Sequence, residues 1–418
     1  MNVPTLRPDS MRRHPDRFDV LIVGGGMVGS SLACALADLP LAVGLVEAMP
    51  FGRFGEPGYD DRNTALSYAT VNVFKTLGVW SALAPEATPI RHIHVSQKGR
   101  MAATRLHADA LRVEALGYVV PNRALMAALF ERMGRIGNLT LINPARVTKA
   151  AQDGDRMRVE VSAGDQIRQL EANLLVIADG TQSPVRSMLQ IGVDRRDYGQ
   201  TAIIANVSTE RPHRNWAYER FTEDGPLALL PLGERNALVW TVPSIAAEIV
   251  STMEDTVFLA ELERRFSRRL GRFTKVGRRQ SYPLVLTQAR RMVDGRAVLL
   301  GNAAHTIHPV AGQGFNLALR EVAILADVLS LAPDVGDKAV LEQFMENCRG
   351  HQRALMTFTD ALPRLFSAGL PGLAGVRGLG LLGLDLWGGG KAEFARWSMG
   401  IGADMPALSR GQAVRSGS

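Results

Sequence analysis

Residues 18–29, FDVLIVGGGMVG, decide the fold of this chain. The apolar run at 18–23 predicts a short buried strand, and three consecutive glycines follow it directly. Residues 27–39 then predict a helix, and residues 41–46 predict a second strand. Strand, glycine turn, helix and strand together have the length of one mononucleotide-binding β-α-β half.

The glycines of this turn have the spacing of a dinucleotide-binding turn. Gly24 would permit the tight turn, Gly26 would let a pyrophosphate approach the backbone, and Gly29 would let the helix pack on the sheet. The helix N-terminus offers unpaired N–H groups and a partial positive charge to the phosphate. Glu47, at the end of the second strand, would accept hydrogen bonds from ribose hydroxyls. The alternative is a glycine-rich turn without a ligand, and both NAD and FAD use this turn.

Composition limits the classes of function. The chain has 418 residues, with 46% hydrophobic and 21% charged residues, so the chain as a whole is not intrinsically disordered. Its formal charge of +7 suits an anionic partner, such as a phosphorylated cofactor or a membrane face. The basic residues are spread out and aromatic residues are only 6%, so we expect no nucleic-acid partner. Two cysteines, Cys34 and Cys348, exclude a disulfide scaffold and a four-thiolate metal site.

Targeting signals are not visible in the sequence. Residues 1–17 contain four arginines but no apolar run, so we expect no secretory signal. The most apolar stretch, residues 365–387, is interrupted by Arg377 and Asp385 and cannot supply a clean spanning helix. We therefore expect a cytoplasmic protein, either soluble or peripheral at the inner face of the membrane.

The middle of the chain has a different pattern. Between residues 200 and 242, four strand-like runs (TAIIANV, AYERF, PLALLPL and NALVWTV) are separated by polar or Gly/Pro turns, which predicts a mostly antiparallel sheet. Residues 256–270 predict a helix on that sheet, and residues 64–77 and 122–133 predict helices elsewhere. The apolar runs at 174–178 and 297–300 again predict short buried strands like the first one, so we expect the nucleotide-binding lobe to be discontinuous in sequence.

The predicted fold class is therefore α/β, with a Rossmann-like nucleotide-binding lobe and a second lobe built on a mostly antiparallel β-sheet. The predicted division has five parts: 18–195 and 285–350 for the nucleotide-binding domain, about 196–284 with part of 90–115 for the substrate domain, 351–404 for a C-terminal helical segment, and 1–17 and 405–418 for flexible ends.

Two distant segments narrow the choice of cofactor. Residues 174–183, LLVIADGTQS, form a strand that runs into an Asp-Gly turn, and residues 301–316 read GNAAHTIHPVAGQGFN. With Asp60-Asp61-Arg62, these segments resemble the single-component FAD-dependent aromatic hydroxylases of the p-hydroxybenzoate hydroxylase fold. Within them the sequence is most similar to the ubiquinone-biosynthesis hydroxylases, in particular the 2-polyprenyl-6-methoxyphenol hydroxylase group. The resemblance runs from about residue 18 to 350, and its most specific block is AGQGFNLALREV.

The resemblance implies roles for residues outside the glycine turn. Arg62 would lie near the flavin and a mobile loop, and Arg123 would touch the ribityl–phosphate region. Asp179 would support both FAD and the passing nicotinamide cofactor. The family commonly has Gly-Asp where this chain has Gly301-Asn302, and the amide oxygen of Asn302 can still accept a ribityl hydroxyl bond.

The resemblance also implies a segment that lies against the isoalloxazine ring. Its glycines let backbone N–H groups approach a flat ring, and the helix that begins there would place its positive end near a reduced flavin anion. The residues of this segment are Gly312, Gln313, Gly314, Phe315 and Asn316.

The implied activity is a monooxygenase that hydroxylates the ring of a polyprenylated phenol in ubiquinone biosynthesis. NAD(P)H would transiently reduce FAD, and O2 would add to form a C4a-hydroperoxyflavin. Because the flavin performs this chemistry, we assign no catalytic side chain, and His305 is the single candidate named. The implied partners are the hydrophobic substrate, O2, and a membrane surface or other ubiquinone-biosynthesis proteins. The ring carbon, prenyl length, choice of NADH or NADPH, and oligomeric state stay open.

Histidines and cysteines could carry other chemistry. His305 and His308 could form a metal site or a proton relay, but no carboxylate or thiolate completes a ligand set, so we favour packing and predict no metal site. His92 and His94 alternate on a predicted strand and would share one face. Cys34 lies on the apolar first helix and is predicted to be core.

Other functions are compatible with the same cofactor lobe. A different phenol hydroxylase, a prenyl reductase or a halogenase would use it, although the Trp-x-Trp pair of flavin halogenases is missing. A non-catalytic FAD-binding subunit of a biosynthetic complex is a further alternative. No Gly-x-Ser-x-Gly elbow is present, which argues against a hydrolase. Residues 365–397 would either lie in a membrane interface or pack on the protein.

Overall fold

Three β-sheets and ten helices are seen in the part of the chain that the structure, a computed structural model, describes: residues 16–52, 55, 58–99, 103–307, 312–367, 388–402 and 404–414. The strands are β1 (Arg17–Val23), β2 (Val43–Val46), β3 (Asn63–Ser67), β4 (Thr88–Ile90), β5 (His92–Gln97), β6 (Ala103–His107), β7 (Gly117–Pro121), β8 (Leu139–Ile142), β9 (Arg146–Asp153), β10 (Arg156–Ala163), β11 (Gln166–Ile177), β12 (Val193–Thr209), β13 (Trp216–Phe221), β14 (Pro226–Leu232), β15 (Arg235–Pro243), β16 (Phe273–Val276), β17 (Gln280–Ala289), β18 (Val293–Asp294), β19 (Ala297–Leu299) and β20 (His305–Thr306). The helices are α1 (Met27–Ala35), α2 (Tyr68–Thr76), α3 (Trp80–Leu83), α4 (Asn122–Met133), α5 (Pro184–Met188), α6 (Ala247–Thr252), α7 (Asp255–Phe266), α8 (Gln313–Ser330), α9 (Lys338–Ser367) and α10 (Gly388–Ser398).

The first sheet forms the Rossmann-like lobe that the sequence predicts. Its main path runs β18-β19-β11-β1-β2-β8, and the pairs from β19 to β8 are parallel. α1, α4 and α8 cover one face of these strands, where Leu32, Leu125 and Leu325 are fully buried. Because parallel strands point their carboxyl ends to one edge, the ends of β1, β2 and β11 meet beside the glycine turn.

The second sheet is mostly antiparallel, as predicted. Its order is β20-β17-β12-β15-β14-β13-β5-β6, with β16 beside β12, and among its described strands only β13 and β5 pair in parallel. α6 and α7 cover one of its faces, where Trp240 and Phe258 are fully buried with ring centroids 5.3 Å apart. The other face is turned toward the first lobe, and we call it the cleft face.

A small third sheet lies between the two lobes. β7 is its central strand, flanked by β3 and β4. Val119 of β7 and Ile90 of β4 pack against Ala217 and Ala237, which lie on the cleft face of the large sheet. The small sheet therefore connects the cofactor side of the molecule to the strand lobe.

The prediction of a helix over 64–77 is wrong in its first part. Residues 63–67 form β3, which pairs with β7, and α2 begins only at Tyr68. The Oγ of Ser67 caps this helix by accepting from the N–H of Thr70. Pairing with a strand more than fifty residues away decides the local structure here, and a helical period cannot report it. α1 is also shorter than predicted and ends at Ala35.

The expectation of a flexible end from residue 405 is also wrong over the described residues 404–414. Leu408 and Val414 are buried, and the N–H of Ala407 donates to Asp327 Oδ2 at 2.8 Å. These few apolar side chains dock on α2 and α8, which the polar composition of the end does not reveal.

Part of the C-terminal segment 365–397 packs on the protein. Ala395 of α10 and Met399 just beyond it are buried against Leu106 and Leu116, at the β5–β6 edge of the large sheet. Residues 368–387 lie outside the described residues. Among the described helices, none is both long and apolar enough to cross a membrane.

Candidate cofactor-binding site

The glycine turn is built by close backbone contacts at two of its three glycines. Gly24 has a φ of +103°, and a Cβ there would lie 2.4 Å from the carbonyl oxygen of Ala178. A Cβ at Gly29 would lie 1.9 Å from the carbonyl oxygen of Gly24. Both positions therefore need glycine to bring α1 and β11 against the turn.

Gly26 is different, because a Cβ at this position would meet no protein atom within 4 Å. It is the N-cap of α1, so the first N–H groups of the helix face the same open space. Protein packing gives no reason for a glycine at position 26. The space suits a pyrophosphate group that must approach the backbone closely.

The carboxylate of Glu47 is held at the end of β2. Its Oε2 accepts from the N–H of Gly25 at 2.6 Å, and its Oε1 accepts from the N–H of Met49 at 2.7 Å. Asn143 donates to the carbonyl oxygen of Glu47 at 2.9 Å and fixes the backbone that follows the strand. The acid is thus fixed beside the glycine turn, which is where the motif predicts it.

Asp179 follows β11, and the residue before it, Ala178, is in contact with Gly24. Its Oδ2 accepts from the N–H of Val185 at 3.1 Å, while its Oδ1 is buried without a partner among the described residues. Burial raises the pKa of this carboxyl group, although hydrogen bonds from Ser183 and Val185 oppose the shift. A buried carboxylate oxygen without a donor needs an explanation, and a cofactor hydroxyl would satisfy it.

Asn302 lies opposite the N-terminus of α1. The preceding Gly301 has a φ of +57°, and a Cβ there would lie 3.0 Å from Cγ2 of Val28. The side chain of Asn302 is exposed. The turn at 301–302 therefore borders the same space as Gly26, as expected for a residue that would bind the ribityl chain.

The two predicted arginines come from neighbouring segments. The N–H of Asn122 donates to the carbonyl oxygen of Arg62 at 2.8 Å, which holds the start of α4 against the start of β3. The side chain of Arg62 is exposed. Arg123 is 14% exposed, because its guanidinium bonds Asp61 at 2.8 Å and also bonds Glu86. Hydrogen bonds to these two acids, that to Glu86 foremost, raise the pKa of Arg123.

The segment 312–316 is anchored on β3 by Asn316. The amide of this residue donates to the carbonyl oxygens of Ala65 and Gly312, both at 3.0 Å. Its Oδ1 accepts from the N–H of Ser67 and the hydroxyl of Thr70, both at 2.8 Å. With its amide engaged within the protein, Asn316 fixes the shape of the segment.

The neighbours of Asn316 have fewer constraints. Gln313 donates to the carbonyl oxygen of Ser398 at 3.5 Å, and Phe315 stacks on Phe74 with ring centroids 6.3 Å apart. A Cβ at Gly314 would lie 3.7 Å from Ile307, an ordinary contact, so packing does not demand a glycine there. Gly312 caps α8 with a φ of +60°. Residues 308–311, including His308, lie outside the described residues.

His305 is buried, as the packing interpretation expects, but it has a carboxylate partner that the sequence analysis missed. Its Nε2 lies 2.6 Å from Oε1 of Glu321, and Gln352 donates to the same oxygen at 2.5 Å. Burial opposes protonation of His305, but the charge of Glu321, the hydrogen bond to it and a backbone hydrogen bond together outweigh burial and raise the pKa of the histidine. Glu321 lies sixteen residues after His305 in the sequence. Its position on the buried face of α8 is the one sequence signal that could have indicated this pairing.

His92 and His94 share one face of β5, as predicted. That face is the helix-covered side of the large sheet, and His92 contacts His107 with Nδ1 atoms 3.0 Å apart. His94 is buried, and burial together with Arg269 and Arg105 lowers its pKa to about 4. In the described part of the chain, no three His, Cys, Asp or Glu side chains are grouped as a metal site would need. Cys34 is buried in the core, where burial raises the pKa of its thiol to about 12.

Comparisons with known proteins agree with this geometry. Residues 17–359 match the family described as FAD binding domain. The chain is 41% identical over 402 residues to the ubiquinone hydroxylase UbiL of Rhodospirillum rubrum, covering 94% of this chain and 92% of that protein. It is 33% identical over 392 residues to the 3-demethoxyubiquinol 3-hydroxylase of Escherichia coli, covering 92% and 98%.

Solved structures share the fold. The p-nitrophenol 4-monooxygenase PnpA of Pseudomonas putida matches with a TM-score of 0.75 at 16% identity, covering 92% of this chain and 98% of that one. PqsL of Pseudomonas aeruginosa, in complex with 2-aminobenzoylacetate, matches with a TM-score of 0.73 at 22% identity, covering 88% and 100%. The chain belongs to the FAD-binding family and, within it, to the ubiquinone-biosynthesis hydroxylases, which are FAD-dependent monooxygenases.

Proposed function

We propose that this protein hydroxylates the aromatic ring of a polyprenylated phenol in ubiquinone biosynthesis, with FAD as resident cofactor and NAD(P)H and O2 as co-substrates. The observation that carries the proposal is the open space at Gly26, at the N-terminus of α1 and next to Gly25, whose N–H donates to Glu47. The substrate class follows from relatives that are named for hydroxylation in the ubiquinone pathway.

The proposed cofactor contacts come from five places along the chain. The glycine turn and the N-terminus of α1 would hold the pyrophosphate, and Glu47 would hold the adenosine ribose. Asp179 and Asn302 would bind hydroxyls of the ribityl chain, and the segment 312–316 would face the isoalloxazine ring. FAD would supply the redox chemistry, taking a hydride from NAD(P)H and reducing O2 so that one oxygen enters the ring and the other leaves as water.

The arginines have separate proposed roles. Arg123 is bonded by Asp61 and Glu86, so we expect it to hold the segment 61–62 in place as well as lie near the cofactor. Arg62 is exposed and available for a phosphate or for the nicotinamide cofactor. Asn316 would act through the shape of its segment, since its amide is bonded within the protein.

The two lobes divide the work in this proposal. Residues 18–195 and 285–350 would form the FAD-binding domain, and about 196–284 with part of 90–115 would form the substrate domain. Of the latter range, β5 pairs with β13 and β6 pairs with β5, and β12 of the same sheet begins at Val193. The substrate is a hydrophobic quinone precursor, so we place the protein in the cytoplasm, at the inner membrane face or with other ubiquinone-biosynthesis proteins.

The experiment that tests the proposal starts from purified protein. It should be yellow and should release FAD on acid precipitation, because no histidine or cysteine lies in a flavin-linkage context. NAD(P)H oxidation should accelerate when a phenol with one prenyl group is added, and mass spectrometry should find a product heavier by one oxygen. Deletion of the gene should accumulate a quinone precursor that lacks one ring hydroxyl. A flavoprotein that reduces the prenyl chain, or forms no product, would contradict the proposal.

A further inference from the structure

The two faces of the large sheet differ in how well they are covered. On the helix-covered face, Leu227, Leu229, Leu238 and Trp240 are fully buried. On the cleft face, one row of neighbouring residues is only half-buried: Val95, Glu219, Ala228, Val239 and Ile204. Other residues of the cleft face, such as Ala217, Ala237 and Leu106, are buried against the small sheet or the segment around α10, so this row is less covered than they are.

This row lies on the same side of the small sheet as the segment proposed to face the flavin. A Cβ at Gly312 would lie 3.2 Å from the Cβ of Ala65, and Ala65 pairs directly with Val119 across β3 and β7. Directly paired residues project from the same face of a sheet. Val119 packs on Ala217, and Glu219 is the next residue of β13 on that face.

Glu219 is the single charged residue of the row. Its register neighbours on β5 and β14 are Val95 and Ala228, and the next position on β15 is Val239. Among the described residues it has no hydrogen-bond or ion-pair partner. An unpaired carboxylate in an apolar cleft lowers the stability of the folded protein. Such a group is typical of functional sites, where a ligand supplies the missing hydrogen bond.

A second polar group with an unmet hydrogen bond lies beside it. Gln97 is on the same face of β5, level with Phe221, and its Oε1 is buried without a donor among the described residues. Both unmet groups are acceptors. They match a ligand that brings hydroxyl hydrogens into the cleft, such as a phenol or a catechol.

We propose that Glu219 is the catalytic base that binds the hydroxyl group of the phenol substrate and accepts its proton as the ring is hydroxylated. This inference rests on the proposed function and adds to it a residue that the sequence analysis did not single out.

The proton and electron balance of the step is complete. The carboxylate takes the hydroxyl proton, and the electron pair of that O–H bond moves into the ring, which makes the ring a stronger nucleophile toward the oxygen supplied by O2. A carbon–oxygen bond forms at the ring as the bond between the two atoms of O2 origin breaks; the second oxygen keeps that electron pair and leaves as water, with NAD(P)H as the source of the electrons. The ring carbon then loses its proton to solvent, and the electron pair of that C–H bond restores aromaticity. Glu219 returns its proton to the original oxygen.

The titration of Glu219 is suited to this role. Burial alone raises its pKa to about 7, so the carboxylate can gain and lose a proton near neutral pH. No charged group contributes to the shift, in keeping with the uncharged register neighbours on β5, β14 and β15. Of the charged side chains of α10, Glu393 and Arg396 lie at the surface, 76% and 57% exposed, and Lys391 is also on this helix.

The test uses FAD-loaded protein and a phenol with one prenyl group. Glu219→Gln keeps the size of the side chain but cannot accept a proton, so hydroxylation should fall about 100-fold. FAD content and phenol affinity, measured by the change in flavin absorbance, should stay close to wild type. The pH profile of wild-type turnover should rise with an apparent pKa near 7, and Glu219→Gln should lack this rise. Glu219→Asp, which keeps a carboxylate, should retain the rise at a lower rate.

A matched control is available in the same hairpin. Glu223 is exposed in the turn between β13 and β14, and Glu223→Gln should leave the rate and the pH profile unchanged. If Glu219→Gln retains wild-type turnover and the same pH rise, Glu219 is not the base, while the proposed function stands. If wild-type protein holds FAD but hydroxylates no phenol, the proposed function is overturned and this inference with it.

Discussion

The glycine turn at 24–29 and the half-buried row of the large sheet provide binding groups in opposite ways. In the turn, the ligand would meet backbone N–H groups. Side chains are absent at Gly24 and Gly29 because protein backbone fills the space, and at Gly26 because the ligand would occupy the space. In the row, the backbone N–H and C=O groups are hydrogen-bonded between strands, so a ligand would be bound by side chains such as that of Glu219. The proposed pyrophosphate-binding turn is therefore local in sequence, whereas the proposed substrate contacts are assembled by register between β5, β13 and β14.

The difference explains why one fold can serve many substrates. Few side chains can be accepted at Gly24 or Gly29 without breaking the turn, so the cofactor is constant. A change on the half-buried row alters the cleft without disturbing the opposite, helix-covered face, because neighbouring residues of a strand point to opposite sides.

Substitution of the two glycines with different surroundings should break the turn in two distinct ways. Gly29→Val places a Cβ against the carbonyl oxygen of Gly24 and should abolish folding, measured as loss of soluble protein. Gly26→Val enters open space, so the protein should fold with native circular dichroism but lose its flavin. Normal flavin content in folded Gly26→Val would refute the placement of the pyrophosphate.

Removal of the C-terminal segment should uncover the edge of the cleft. Truncation after Arg364 deletes α10, the buried Met399 that follows it, and the docked residues 404–414 with the buried Leu408. The truncated protein should lose both its solubility and its bound flavin. Truncation after Val414 is the matched control and should be neutral. If the shorter protein instead stays yellow and active on a short-chain phenol but no longer sediments with anionic liposomes, the segment is a membrane anchor.

The His305–Glu321 pair connects β20 to α8. Loss of this pair should reduce the stability of the protein without changing a residue that we propose to bind the cofactor or the substrate. Glu321→Gln should lower the free energy of unfolding by about 1–3 kcal/mol, measured by denaturant titration. The folded pKa of His305 is raised above 6.5, so the contribution of the pair is fully present below the pKa of the unfolded chain and is lost as pH rises through the folded pKa. A gap between wild type and variant that grows with pH would contradict this assignment.

Asp179 is a proposed side-chain contact in a site that we expect to be built mainly from backbone, and its replacement should have the smallest effect. Asp179→Asn keeps an acceptor for the N–H of Val185 but removes the charge that faces the cofactor. FAD affinity should weaken about tenfold, measured by flavin fluorescence on dilution. Asp165→Asn, an exposed change in the β10–β11 turn, should have no effect. Equal affinity in both variants would remove Asp179 from the cofactor site.

Local patterns predicted the parts of the molecule that depend on local physics. The glycine turn, Glu47 and the strand–turn at Asp179 lie where the sequence places them, because their geometry is set within a few residues. Residues 64–67 were predicted as helix, because their strand state depends on β7, a distant partner. Glu321 and Glu219 were missed for the same reason: each meets its neighbours through tertiary packing or strand register, which spacing along the chain does not reveal.

The most direct test of the account follows the fate of molecular oxygen. FAD-loaded wild-type protein is given NAD(P)H, isotopically labelled O2 and a phenol with one prenyl group, and the product is analysed by mass spectrometry. The account predicts a ring-hydroxylated product that carries one labelled oxygen atom, formed in proportion to the NAD(P)H consumed. Product without label, or NAD(P)H oxidation that yields only labelled hydrogen peroxide with every phenol offered, would contradict it.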